Sequence, residues 1–157
     1  MGICFRILKL TRIDFYYDVK DILSFASRIA RKLHYEKVIA VKHPMVIRCK
    51  NQSHCEEVGY SIHNFSKKDF LPCAEFSDER ADLFPIILST VSEVPLWADD
   101  IIVLLNLDTK IEMTFSSYPR VIEIVDQTEL NRQKGRERYK YYKAVSYTHL
   151  TLPTSSQ

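Results

Sequence analysis

The sequence predicts a single α+β domain in which about three helices pack on a largely antiparallel or mixed sheet. Amphipathic helical patterns stand near both ends of the 157-residue chain, and short apolar runs separated by turn-like segments lie between them. A hydrophobic content of 46% supplies a core, while only 3 Gly and 6 Pro argue against a linker-like or disordered chain. We therefore expect one compact domain with several hairpin-length connections.

The first half begins with a predicted strand and continues into the clearest helical pattern. Apolar residues from Val19 to Leu33 recur at three- and four-residue spacing, which predicts a helix over residues 18–34 with Asp18 as its N-cap. Pro44 interrupts the next apolar stretch and predicts a turn between two strands. The predicted strands are residues 3–10, 37–41, 45–49 and 58–65, with a polar loop at 51–57.

The second half is predicted to alternate again between helix and strand. Residues 77–94 open with helix-favouring chemistry, and Pro85 either lies in the first turn of a helix over 84–93 or kinks a longer helix. Thr128 is placed to cap a final helix over 129–143, which Gly135 weakens by about 1 kcal/mol. The predicted strands are residues 101–107, 110–116 and 121–125, the first two joined as a hairpin.

The last residues match the translation of an artificial DNA sequence. Residues 145–154 read VSYTHLTLPT, which the bases of a transposase-type sequencing-library adapter encode codon for codon. We therefore expect residues 144–157 not to be native, the domain to span 1–143, and the authentic chain to be truncated there.

Charge is strongly segregated along the chain although the net charge is only +2. Residues 1–50 carry eleven Lys/Arg and four Asp/Glu, residues 51–131 carry five and fifteen, and residues 132–157 carry six and one. Such segments could neutralise one another in the fold or leave a basic face for an anionic partner. The sequence leaves both arrangements open.

Cysteine usage and hydropathy favour a cytoplasmic protein. The four cysteines follow no disulfide framework, and no secretory signal precedes them. The longest apolar runs are too short to cross a bilayer, so no membrane partner is expected.

A group of cysteines and histidines could hold zinc, which takes thiolate and imidazole ligands in tetrahedral geometry. Buried thiols and surface imidazoles are the alternative explanation, because the spacings do not form two short Cys-x-x-Cys knuckles. The candidate ligands are Cys49, His54, Cys55, His63 and Cys73, with His43 nearby.

Part of this group resembles the zinc-dependent nucleobase deaminase family. His54 and Glu56 form an H-x-E pattern, and Pro72-Cys73 follows, although Phe76 stands where the family has a second cysteine. The resemblance implies His54 and Cys73 as zinc ligands and Glu56 as the proton-transferring acid and base.

Acidic residues form two further candidate groups. Asp99, Asp100, Glu112 and Glu123 stand at or near predicted strands, where paired carboxylates can hold magnesium. Solvated strand ends and helix starts are the simpler explanation, because acidic residues favour helix N-termini for dipole reasons alone. The second group consists of Glu75, Asp78, Glu79 and Asp82.

The final predicted helix interleaves cations with tyrosines, a composition typical of nucleic-acid contact. Cations can pair with phosphates and exposed tyrosines can stack on unpaired bases, and Arg28, Arg31 and Lys32 of the first helix could extend the same positive surface. The candidate contact residues are Arg132, Lys134, Arg136, Arg138, Tyr139, Lys140 and Tyr142.

Function from sequence alone is therefore open among three classes. A small nucleic-acid-binding or nucleic-acid-associated module is the leading hypothesis; a zinc-dependent enzyme and a protein-interaction module, contacting a partner or a missing C-terminal segment, are the alternatives. The three glycines form no phosphate-binding loop, so nucleotide hydrolysis by such a loop is not predicted.

Overall fold

The core of the molecule is a parallel sheet covered by helices on both faces. The computed structural model describes residues 11–97, 103–145, 148–150 and 154–155. Its three helices are α1 (Ile22–Tyr35), α2 (Gln52–Asn64) and α3 (Glu129–Ala144), and 3-10 turns span Ala81–Leu83 and Phe115–Ser117. The strands of the core are β1 (Thr11–Val19), β2 (Met45–Arg48), β3 (Cys73–Glu75), β4 (Ile86–Ser89), β5 (Val103–Asn106) and β6 (Arg120–Asp126).

The six core strands are all parallel and lie in the order β3-β4-β2-β5-β6-β1. Two short strands, β7 (Thr148–Leu150) and β8 (Thr154–Ser155), add in parallel along the outer edge of β1. They belong to the segment 144–157 that we expect not to be native, which stays a prediction.

The predicted α+β class with an antiparallel or mixed sheet is therefore wrong, and the fold is α/β. Every residue of β2, β4 and β5 is buried, as expected for parallel strands with helices on both faces. Short apolar runs of this kind resemble the strands of hairpins. Only the strand pairing shows that they are parallel and are joined by long crossover connections.

Alternating residues of the strands send their side chains into two separate cores. One core packs α1 and α2 against residues such as Ile47, Leu105 and Ile122. The other packs α3 and the two 3-10 turns against residues such as Val46 and Leu104. Helices α1 and α3 consequently lie on opposite faces of the sheet.

Helix α1 confirms the predicted helix but begins later. Asp21 caps it by accepting a hydrogen bond from the Ser24 backbone N–H at 3.2 Å, whereas Asp18 lies before the helix in the left-handed region at φ 59°. Buried Ala26, Ala30 and Leu33 form the apolar face.

Helix α2 replaces the predicted loop at 51–57 and the predicted strand at 58–65. Asn51 caps it, since its side-chain oxygen accepts the His54 N–H at 2.8 Å. Cys55, Val58 and Ile62 are buried at helical spacing, and this weak pattern together with the Asn51 cap is the local signal for the helix.

Other predicted elements divide between confirmed and wrong. The strands predicted at 45–49, 101–107 and 121–125 and the helix at 129–143 are confirmed as β2, β5, β6 and α3, although residues 101–102 lie outside the described residues. The helix predicted at 84–93 is instead strand β4, and neither 37–41 nor 110–116 is a strand. The strand predicted at 3–10 also lies outside the described residues.

Within the described part of the chain, no helix is both long and apolar enough to span a membrane.

Candidate functional site

Helix α3 is held tightly against the sheet at both its start and its middle. Thr128 caps it, and the Asp126 carboxylate at the end of β6 accepts hydrogen bonds from the Thr128 hydroxyl at 2.6 Å and the Asn131 amide at 2.8 Å. Gly135 is buried where α3 crosses β6. A Cβ at this position would lie only 2.6 Å from a methyl group of Val125. The glycine that weakens the helix thus permits its close approach to the sheet.

A groove of about 580 Å³ lies between α3 and β1. Phe15, Val125 and Tyr139 supply apolar surface to it, and the rings of Phe15 and Tyr139 meet edge to face with centroids 5.4 Å apart. We call this feature the β1–α3 groove; its other lining residues are Tyr17, Asp18, Arg132, Gly135, Arg136 and Lys140.

The rim of the β1–α3 groove is cationic. Arg132, Arg136 and Lys140 follow one another at four-residue spacing, so they share one side of α3, and all three are exposed. The acidic neighbours are loosely placed: Arg132 lies 3.7 Å from Asp18, and Arg136 lies 3.7 Å from Glu129. Exposed pairs at such distances leave the cations available to a ligand.

Two predicted contact residues of α3 are buried instead. Arg138 is 3% exposed and donates from Nε to Glu123 at 2.7 Å and from Nη1 to the Thr109 carbonyl at 2.9 Å. Tyr142 is fully buried and donates its hydroxyl proton to Glu123 at 2.9 Å. Neither side chain can reach a ligand on the surface.

Glu123 is the centre of this buried polar cluster. Its carboxylate also accepts the Asn106 side-chain amide at 2.8 Å. Burial raises the pKa of Glu123, while the positive charge of Arg138 and the hydrogen bonds from Asn106, Tyr142 and Arg138 favour its ionised form. Burial and the neighbouring Glu123 carboxylate likewise raise the pKa of Tyr142.

Glu112 lies in a second buried ion pair, with Arg48 at the end of β2. Arg48 also donates to the Ser89 hydroxyl at 2.9 Å, and Glu112 accepts the Thr114 hydroxyl at 2.7 Å. Burial raises the pKa of nearby Tyr118 to about 12. Glu112 and Glu123 are thus each paired with a buried arginine and have a structural role. Asp99 and Asp100 lie outside the described residues.

The remaining acidic candidates lie at the opposite edge of the sheet. Glu75 ends the edge strand β3 and accepts a hydrogen bond from Gln52 at 2.8 Å. Asp78, Glu79 and Asp82 follow in exposed positions, where Asp78 caps a turn by accepting the Arg80 N–H at 2.8 Å.

The candidate zinc ligands occupy ordinary structural positions. Across the described ranges, no three His, Cys, Asp or Glu side chains are grouped so as to hold a metal ion. His54 uses Nδ1 to accept the Lys50 N–H at 3.0 Å, and the ring of His63 contacts the ring of Phe70. Glu56 is exposed on α2.

The thiols of the same group are also in structural surroundings. Cys49 and Cys55 are buried. Interaction with Cys55 and burial raise the pKa of Cys49, whereas interaction with Cys49 lowers the pKa of Cys55. Burial raises the pKa of Cys73 to about 11, so this thiol stays protonated at neutral pH.

The two basic helices do not combine into one positive surface. Arg28, Arg31 and Lys32 belong to α1, on the face of the sheet opposite α3. Sequence reasoning also missed Phe15, Tyr17, Asp18 and Val125 as groove residues. The alternation of Ile13, Phe15 and Tyr17 was a local signal for β1, but nothing local indicated that α3 would cover it.

Comparison with known proteins identifies the family. Residues 10–149 match the family model described as DNA polymerase III chi subunit, HolC. No curated protein matches the chain. Among solved structures, "The crystal structure of T4 UvsW" is similar in fold, with a TM-score of 0.57 and 13% sequence identity over 91% of this chain and 41% of that chain.

The matched residues take in β1, α3 and every core strand between them, and the family is one of replication-associated proteins. The chain therefore belongs to the DNA polymerase III chi subunit (HolC) family.

Proposed function

We propose that this chain is a docking subunit of a DNA polymerase III-type replication assembly, and that its β1–α3 groove binds an acidic segment of a partner protein. Membership of the chi-subunit family supports a role in such an assembly, and we expect the protein to be cytoplasmic. The observation that carries the proposal is an apolar groove bordered by three exposed cations.

The groove chemistry favours a peptide with one or two apolar side chains next to carboxylates. Phe15, Val125 and Tyr139 offer apolar contact for a side chain, and burying such a side chain stabilises a complex by about 1.5–3 kcal/mol. Arg136 and Lys140 stand beside that surface, where they can donate charge-assisted hydrogen bonds to carboxylates. A partner tail with both features would use the whole groove.

Single-stranded nucleic acid is the second candidate for the same helix, because Arg132, Arg136 and Lys140 form a continuous basic side of α3. The stacking half of that hypothesis is weakened. Tyr142 is buried, so of the two tyrosines predicted to stack on bases only Tyr139 lines the groove, and its ring is already packed against Phe15. The buried Arg138 also drops out of the contact set.

We do not propose that the chain is a zinc-dependent enzyme. The residues that resemble the deaminase pattern have structural partners or lie exposed on α2, and Phe76 supplies no third ligand.

The test is fluorescence anisotropy with a labelled peptide of consecutive Asp residues ending in Phe, alongside a neutral peptide of equal length. The double variant Arg136→Ala/Lys140→Ala should bind the acidic peptide at least about tenfold more weakly, since two charge-assisted contacts are lost. Lys134→Ala is the matched control, because Lys134 lies on α3 outside the groove and should leave binding unchanged.

Equal binding of the acidic and neutral peptides, or equal loss in Lys134→Ala, would refute the peptide proposal. Oligothymidylate binding that is lost in Arg136→Ala/Lys140→Ala, with no peptide binding, would favour the second candidate.

A further inference from the structure

Strand β1 reverses the direction of its side chains just before it ends. Phe15 and Tyr17 follow the regular alternation of a strand, and both line the β1–α3 groove. Continued alternation would place Asp18 on the face that α1 covers and Val19 on the face that α3 covers. The structure has the opposite arrangement, because Asp18 lines the β1–α3 groove and Val19 packs in the core beneath α1.

A β-bulge explains this reversal. The pairing of β1 with β6 shifts register between Tyr16 and Val19, so that two residues of β1 lie opposite Val125 alone. The second of these two residues, Asp18, has a φ of 59°, in the left-handed region that residues other than glycine seldom adopt. Bulges re-aim side chains, and the side chain that is re-aimed here is a carboxylate.

The Asp18 carboxylate lies beside a cation of the groove rim. Its Oδ1 is 3.7 Å from Nη2 of Arg132, and the side chains of Asp18 and Arg132 are 35% and 44% exposed. An ion pair of this length and exposure contributes little to the free energy of unfolding. Stability therefore does not account for a carboxylate in a strained backbone position at a binding surface, which points instead to a role in binding.

Charge is consequently uneven along the groove. Asp18 is the acidic residue among those that line the β1–α3 groove in the described part of the chain. Glu129, which lies 3.7 Å from Arg136, does not line the groove. An acidic ligand thus meets cations at the Arg136 and Lys140 end, but a carboxylate of the protein at the Arg132 end.

We propose that Asp18 is a specificity-determining residue of the β1–α3 groove, whose carboxylate holds Arg132 until an acidic ligand displaces it. This inference rests on the acidic-segment binding proposed above. Displacement is feasible because the pair is long and exposed to water. Ligand carboxylates are favoured beside Arg136 and Lys140 and opposed beside Arg132, which fixes the end of the groove at which the acidic part of a ligand lies.

The test measures binding of the Asp18→Asn chain to the labelled Asp-rich peptide ending in Phe and to the neutral peptide of equal length. Asparagine tolerates the left-handed backbone as aspartate does, so the variant removes the charge and keeps the bulge. It should bind the acidic peptide about three- to fivefold more tightly, because Arg132 is then available to the ligand. Affinity for the neutral peptide should stay unchanged, which a merely structural role of Asp18 does not predict.

Arg132→Gln tests whether Asp18 acts by competing for this cation. In the Arg132→Gln background, Asp18→Asn should tighten binding by less than about 1.5-fold, since there is no cation left to release. Repulsion of the ligand by Asp18 alone is weak, because water and salt screen a partly exposed carboxylate.

Glu129→Gln is the matched control for net charge. It removes the same charge at the same 3.7 Å from a groove arginine, but from a side chain outside the groove. Affinity for the acidic peptide should change by less than about 1.5-fold in this variant.

The outcomes separate the two proposals. If Arg136→Ala/Lys140→Ala weakens peptide binding but Asp18→Asn does not strengthen it, the role of Asp18 is refuted and the docking function stands. An equal gain in Glu129→Gln, or an equal or larger gain of Asp18→Asn without Arg132, would also overturn the competition. If neither the unsubstituted chain nor Asp18→Asn binds the acidic peptide, both proposals fail.

Discussion

At the scale of the residue, Arg136 and Arg138 differ in environment although both belong to α3. The Arg136 side chain is 67% exposed and lines the β1–α3 groove, whereas Arg138 is buried on Glu123. An exposed arginine is available to a ligand, while a buried one neutralises an internal carboxylate. Their identical side chains therefore serve binding in one case and folding in the other.

We expect Arg138→Met to lower the free energy of unfolding by about 3–5 kcal/mol, because it leaves Glu123 as a buried charge without its cation. Arg136→Ala should change it by only about 0.5 kcal/mol or less. Urea unfolding followed by circular dichroism measures both. The assignment fails if the two variants prove equally stable.

The sequence predicted that α3 carries cations and tyrosines, but not which of these side chains would be buried. The cations and tyrosines of α3 are evident in the sequence, and Arg132, Arg136 and Lys140 do line the groove. The burial of Arg138 and Tyr142 depends on Glu123 and Asn106, which reach the same point from two different strands. Such a meeting leaves no local pattern.

At the scale of the element, α3 shows how a packing requirement can oppose helix propensity. Alanine is favoured over glycine within a helix by about 1 kcal/mol. At Gly135, however, the added methyl group would overlap Val125 on β6. Gly135 and Val125 both line the β1–α3 groove, so this contact also shapes the candidate site.

Gly135→Ala should therefore destabilise the protein by about 1–3 kcal/mol, despite the gain in helix propensity. Val125→Ala should relieve the overlap, so the double variant should lose less than the sum of the two single variants. Thermal unfolding of the four proteins forms the cycle. A more stable Gly135→Ala protein would show that α3 has room to spare.

The start of α3 depends on an ionised carboxylate. Partial burial raises the pKa of Asp126, but hydrogen bonds from Thr128 and Asn131 outweigh it and lower the pKa below the usual value of 3.8. A carboxyl whose pKa is lowered in the folded state stabilises the fold above its unfolded pKa. That stability is lost as the pH falls through the folded value.

Asp126→Asn should consequently lower the free energy of unfolding by about 1 kcal/mol near neutral pH. The difference from the unsubstituted protein should shrink as the pH falls below 3.8. Urea titrations across that range measure it, with Glu129→Gln as an exposed control on the same helix. A difference that stays constant with pH would rule out the carboxylate as its source.

Helix α2 shows the limit of prediction at this scale. Its three buried residues were spaced helically, but its polar first turns and Gly59 favoured a loop followed by a strand. Packing against α1 supplies what propensity lacks, since Ser27 and Ser61 meet at 3.0 Å between the two helices. The helix forms because it has a partner, not because its sequence demands it.

At the scale of the whole molecule, the parallel sheet keeps the basic residues of α1 and α3 apart. The β1–α3 groove lies on the face that α3 covers, whereas the cations of α1 lie on the opposite face. The segregated charge of the chain is thereby distributed over separate basic surfaces rather than one.

Local sequence was enough to predict α1, α3 with its Thr128 cap, the buried strands β2, β5 and β6, and the basic composition of α3. These features depend on residues close together in the chain, where periodicity and capping act. The parallel strand order, the burial of Arg138 and the packing of α3 beside Phe15 became visible only in the folded chain. Each of these depends on contacts between distant segments, whose free energy no local pattern encodes.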